Sequence, residues 1–157
     1  MRSIRLTAFE KTAISMILFI FIVTRFVNIE IVSGSSMYPS YKDGDLIIST
    51  KSVDAEDIED GSVVIVDTES IALIKRVVGM PGDTVQITDG ILYVNGKAED
   101  RGLPLMEDAG NASSPVSLGE YEYYVLGDNR NGSKDSRIIG PVSINDIKSV
   151  VIRKIGF

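Results

Sequence analysis

The chain has 157 residues, a formal net charge of -6, and neither histidine nor cysteine. That length holds one ordinary domain plus an anchor, and with no basic stripe the acidic balance leaves little from which to build a phosphate-neutralising surface, so nucleic acid is not an expected partner. The two missing residue types exclude disulfides, thiolate nucleophiles, zinc ribbons and any Ser-His-Asp triad within the chain; no cofactor or metal is expected, carboxylates alone being left to hold one.

Residues 12–24, TAISMILFIFIVT, are uncharged, follow Arg2, Arg5 and Lys11, and precede Arg25 and a mostly apolar FVNIEIV. A helix over this run spans about 20 Å against about 30 Å of hydrocarbon, so Lys11 and Arg25 must snorkel for residues from Ala8 to Ile29 to lengthen it. Positive charge ahead of the run predicts an inside N-terminus and an outside body. The expected organisation is a cytoplasmic N-terminus over 1–11, a transmembrane anchor over 12–29 and an extracytoplasmic β-rich body over 30–157. Two other readings share the pattern: a removable signal peptide, since small residues follow at 33–36, and a buried soluble helix, which the charged flanks disfavour.

From Leu46 onward, short β-branched runs alternate with turn signals. LIIST follows KDGD, SVVIVD follows EDG, IALIKRVV precedes GMPGD, TVQIT precedes DG, ILYV precedes NG, EYYVL precedes GDN, and SVVIRKI comes near the end. Asp89-Gly90 and Asn95-Gly96 are hairpin signals bracketing Ile91 to Val94. SINDI offers a cap and a single helical turn. The predicted fold is all-β, of packed or coiled antiparallel sheets. Residues 99–118, rich in Gly, Pro, Ser and Asp, read as an excursion across the surface.

IVSGSSMYPSY, residues 31–41, places three serines directly after the apolar segment. With no imidazole available, a nucleophilic serine needs a carboxylate, tyrosine or lysine as its base. A lysine serves only when neutral, which requires a fall of about two pH units or more from about 10.4, at a cost of about 3 kcal/mol in burial. Alternation in IALIKRVV puts Lys75 in one row with Ile71, Leu73 and Val77. The same pattern fits an exposed or snorkelling lysine on a half-buried strand. Likewise, the serine stretch on its own fits a linker or a turn.

Three separated strings taken together resemble the boxes of bacterial type I signal peptidases: SGSSMYPS with KDGD, IKRVVGMPGD, and LGDNRNGSKDSRIIGPV. These are membrane-anchored serine proteases that remove signal peptides from exported proteins. The order and spacing match the small, singly anchored, Gram-positive-like form, and the likeness runs over nearly the whole chain. It implies that Ser36 is the nucleophile and Lys75 the general base. Ser133 matches a serine whose hydroxyl holds the lysine amine, Asp135 and Arg137 match a structural ion pair, and residues 127–130 match a supporting loop. Met37 and Pro39 match the turn after the nucleophile. Gly34 departs from relatives with a serine there that helps bind the oxyanion, and Ser40 replaces a usual threonine.

The implied reaction is acyl transfer through Ser36 with Lys75 moving the proton, on preproteins lying extended along Ile31, Val32, Ser33, Met37, Leu73 and Ile74. The implied partners are signal peptides and the lipid bilayer, at the cell membrane. A different class of protein could share the boxes, namely a non-catalytic assembly factor or chaperone, for example for surface pili. Such a degenerate protein is expected to lose Ser36 or Lys75, and this chain keeps both.

Overall fold

In the computed structural model, residues 7–155 are described, apart from the side chains of Phe19, Ile22 and Val23. Arg2, Arg5 and the final Gly-Phe of the sequence pattern lie outside them. Helix α1 (Ala8–Phe26) opens on a capping box: Thr7 N-H donates to Glu10 Oε2 at 2.7 Å, and Glu10 N-H donates to Thr7 Oγ1 at 3.3 Å. At its other end Lys51 N-H donates to the Phe26 carbonyl at 3.1 Å, and the Lys51 amine reaches the Thr24 carbonyl. Both contacts meet carbonyls that a helix end leaves unbonded.

The boundary of the expected anchor is corrected here. Residues 27–29 were assigned to the apolar span, but the chain leaves the helix at Phe26 and becomes strand β1 (Val27–Ile31), paired antiparallel with β2 (Leu46–Thr50). Alternating β-branched residues in VNIEI favour an extended pairing over another helical turn. Among the described residues no helix is long and apolar enough to cross a membrane. The 19 residues of α1 carry Glu10, Lys11 and Arg25. Among the described residues its large apolar side chains are exposed, Phe9, Ile17 and Phe26 each by more than 60%.

The strands predicted from turn signals form as expected: β2, β3 (Val63–Asp67), β4 (Ala72–Gly79), β5 (Thr84–Thr88) and β6 (Ile91–Val94). Three short strands were not anticipated: β7 (Lys97–Glu99), β8 (Val116–Ser117) and β10 (Val142–Ser143). They accompany the expected β9 (Glu122–Leu126) and β11 (Ile147–Ile155). A four-residue helix α2 (Ser136–Ile139) follows β9. SINDI forms a single 3-10 turn in which Ser143 Oγ accepts from Asn145 N-H. All pairings are antiparallel, in a seven-stranded sheet ordered β1-β2-β11-β3-β4-β9-β10 and a four-stranded sheet ordered β7-β6-β5-β8.

Two main cores result. Val64, Val66, Val77, Tyr123 and Val125 pack on one face of the large sheet. Val78, Val85, Leu92, Tyr124 and Leu126 join it to the small one. The segment 99–118 is not only a surface excursion: Met106, Ala112 and Leu118 are buried in the second core. It is also tied down by side chains, since Tyr124 Oη donates to Asn111 Oδ1 at 2.7 Å and Asn111 Nδ2 donates to the Ser136 carbonyl at 2.6 Å. Gly, Pro, Ser and Asp give such a segment no period, so its buried residues cannot be read from alternation.

Candidate active site

Ser36 lies just past β1, in a turn whose path is fixed from several sides. Gly34 has φ of +85°, a region costly for any residue with a Cβ, and its N-H donates to Asp43 Oδ1 at 2.7 Å. Glycine at this position therefore has a backbone reason, and a serine in the same conformation would be strained. Asn129 holds the turn from below, its N-H donating to the Ser36 carbonyl at 3.0 Å and its Nδ2 to the Ser35 carbonyl at 3.2 Å. Met37 is fully buried and is not among the residues that line the cleft beside Ser36, where a substrate contact was expected of it.

Lys75 lies in the middle of β4, opposite Val64, and is 1% exposed. Its Nζ is 2.8 Å from Ser36 Oγ and 2.6 Å from the Ile74 carbonyl. Burial lowers the pKa of this amine to about 8, against the opposing pull of the Asp135 and Asp128 carboxylates. Ser133 does not hold the amine as the resemblance implied: its Oγ is buried and has no hydrogen-bond partner among the described residues.

The floor beneath the pair is built from two carboxylate-guanidinium pairs. Asp135 is fully buried and takes Arg137 Nε on Oδ1 and Nη2 on Oδ2, each at 2.9 Å, while its Oδ2 also accepts the Gly127 N-H at 3.0 Å. Such a forked pair is among the strongest polar contacts available to a protein. The other pair was not anticipated: Arg76 donates from Nε and Nη2 to Asp128 at 2.8 and 2.7 Å, and from Nη1 to the Gly61 carbonyl at 2.8 Å. Hydrogen bonding to Asp128 raises the Arg76 pKa further, and although burial pushes the Asp128 carboxyl up, bonds from Arg76 and Ser40 leave it lowered overall.

Gly127 is required by space. A Cβ there would sit 2.2 Å from Ser133 Oγ and 2.5 Å from the Ser36 carbonyl oxygen. Gly127→Ala is therefore expected to displace the Ser36 turn. The measurement is thermal unfolding, with a Tm lower by several degrees expected.

A cleft of about 280 Å³ opens beside the two side chains, walled by Ile31, Val32 and Ser33 on one side and Leu73 and Ile74 on the other, over Ile47 and Ile65. Both walls offer backbone. Strand β1 is the edge of its sheet, and β4 pairs with β9 only from Arg76 onward, leaving residues 72–75 one edge free of strand neighbours. Among the described residues no cluster of three or more acidic side chains is arranged to hold a metal ion.

A family model described as "Signal peptidase, peptidase S26" matches residues 5–154. Signal peptidase I T of Bacillus subtilis (strain 168) is 39% identical over 123 residues, covering 68% of this chain and 62% of that relative. Signal peptidase IB of Staphylococcus aureus (strain COL) is 34% identical over 154 residues, or 84% of this chain and 78% of the relative. A solved signal peptidase I from Enterococcus faecalis V583 is 25% identical, with 59% of this chain and 95% of that one covered at a TM-score of 0.47. The chain thus spans less than two thirds of the length of the Bacillus relatives. A match running from before the apolar helix into the last strand leaves one assignment: the chain belongs to the signal peptidase family, peptidase S26.

Proposed function

We propose that this chain is a membrane-attached serine endopeptidase that removes N-terminal signal peptides from exported preproteins, with Ser36 as nucleophile and Lys75 as general base. The observation that carries the reading is the 2.8 Å approach of a buried lysine amine to a serine hydroxyl, at the end of a cleft with free strand edges. A preprotein lies extended between residues 31–33 and 72–74, adding a strand to the exposed backbone. Neutral Lys75 takes the Ser36 proton as Oγ attacks the scissile carbonyl, then gives it to the departing amine of the mature protein. An ester of the signal peptide on Ser36 remains. Water, activated by the same amine, hydrolyses it.

The Ser36 N-H, which donates to no described backbone carbonyl, is the main-chain candidate for binding the oxyanion. Attachment rests on the exposed apolar surface of α1, held by the short β1 close to the cleft. The lipid interior covers that surface, and the ends at Lys11 and Arg25 reach toward headgroups.

The experiment is mass spectrometry of a preprotein incubated with the detergent-solubilised chain, which reports cleavage and its position together. Because the working form of the base is unprotonated, kcat/KM is expected to fall about tenfold for each pH unit below about 8 and to level off above it. A flat profile between pH 6 and 9 would count against Lys75 as the base. Absence of cleavage by a folded chain would favour a non-hydrolytic assembly role.

A further inference from the structure

A second cleft, of about 290 Å³, lies away from Ser36 between the small sheet and residues 100–106. Its apolar wall is Ile91, Leu92, Leu103, Pro104, Leu105 and Met106, and its polar end is Arg130 with Arg101. Arg130 is 5% exposed. Its Nε is buried without a hydrogen-bond partner, and its one side-chain contact runs from Nη1 to the Met106 sulfur at 3.8 Å, a weak acceptor. The guanidiniums around it each form an ion pair, Arg76 with Asp128, Arg137 with Asp135, and Arg101 through Nη2 with Asp60 and Glu99, although the Arg101 Nε is also buried without a hydrogen-bond partner. Arg130 alone of these four forms no ion pair among the described residues. Burial also lowers its pKa, with Asp128 opposing and Arg137 and Arg101 adding to the depression.

A buried cation with no counterion is a costly arrangement that an anion in the adjoining space would relieve. We propose that this cleft binds an apolar chain ending in a carboxylate, with the carboxylate on Arg130 and the chain along Leu103, Pro104 and Leu105. The same residue borders another hollow, but that one is lined by polar and charged groups with Ile138 as its one large apolar side chain, and offers a hydrocarbon chain no wall to follow. The acids on the rim of the proposed cleft are engaged, Glu99 by Arg101 and Asp100 by the Gly102 N-H. The space is well over ten times what a single water needs, which leaves room for a hydrocarbon chain of several carbons beside the carboxylate. A fatty acid and the free C-terminus of an apolar peptide share this chemistry.

The test uses the full chain and an eight-carbon carboxylate bearing a photoreactive diazirine, with labelled positions mapped by mass spectrometry. Labelling is expected within residues 91–106, competed by octanoate and not by 1-octanol. Arg130→Gln is expected to reduce it about tenfold or more, with part restored in Arg130→Lys. Leu103→Glu, at a half-buried position, places a repelling charge in the cleft and serves if the Arg130 variant does not fold. Labelling confined to Ala8–Phe26, equal competition by 1-octanol, or labelling unchanged in the variants would overturn the proposal. Competition by an apolar tripeptide as free acid but not as amide, and more strongly than by octanoate, assigns a peptide source; the reverse order assigns a lipid one.

Discussion

Ser36→Ala and Lys75→Met are each expected to lower reporter cleavage by about a thousandfold or more while the β-body stays folded. The first removes the attacking oxygen; the second removes the proton acceptor yet keeps the hydrocarbon stem in its buried place. The two are expected to diverge in stability. Below about pH 8 the Lys75 amine is charged in both folded and unfolded chains, and the folded state bears the whole cost of burying it, about 3 kcal/mol for a fall from 10.5 to about 8. Between about 8 and 10.5 the unfolded chain binds more protons, so the stability of the unsubstituted protein rises with pH. Lys75→Met lacks that rise. Chemical denaturation of both at pH 7 and pH 10 reads the difference in slope, which is more informative than the absolute gap because Met also forfeits two hydrogen bonds. Equal slopes, or cleavage surviving in either variant, would remove Lys75 and Ser36 from the roles proposed for them.

Asp135→Ala is expected to cost about 3–5 kcal/mol, enough to threaten folding of a domain this size. It strands the Arg137 guanidinium, which is 7% exposed, and leaves the Gly127 N-H without its acceptor. Asp135→Asn separates this scaffold role from an electrostatic one. The amide can still accept from Gly127, but the negative charge that favours protonated Lys75 is gone. The midpoint of the pH-activity curve should therefore move to lower pH. A midpoint that does not move would show that Asp135 acts on the site through packing alone.

The longer strands of both sheets were readable from β-branched alternation between turn residues, and the hairpins of the small sheet from Asp89-Gly90 and Asn95-Gly96. The face of Lys75 followed from IALIKRVV in the same way. Its depth did not, because that depends on β3 and β9, which flank β4 from distant parts of the chain. Strand β1 was hidden for a different reason: its residues continue the apolar run of the helix, and hydrophobicity does not show where one period gives way to the other. The pairing of Arg76 with Asp128 joins residues 52 positions apart, and the unpartnered hydroxyl of Ser133 depends on how two distant loops meet. Neither has a local signature. Residues 99–118 misled because a segment without periodicity can still bury single side chains.

The order β1-β2-β11-β3-β4 has a bearing on when the proposed site can assemble. Strand β11 lies between the hairpin that leads into and out of the Ser36 turn and the hairpin that carries Lys75, and no strand pairing joins those two hairpins directly. During synthesis, residues 147–155 emerge long after Ser36 and Lys75. Until they insert as the central seam, the two hairpins share no ladder hydrogen bonds, and the meeting of Ser36 with Lys75 rests on the Asn129 contacts and on the packing of Val32 and Ile47 against Ile65.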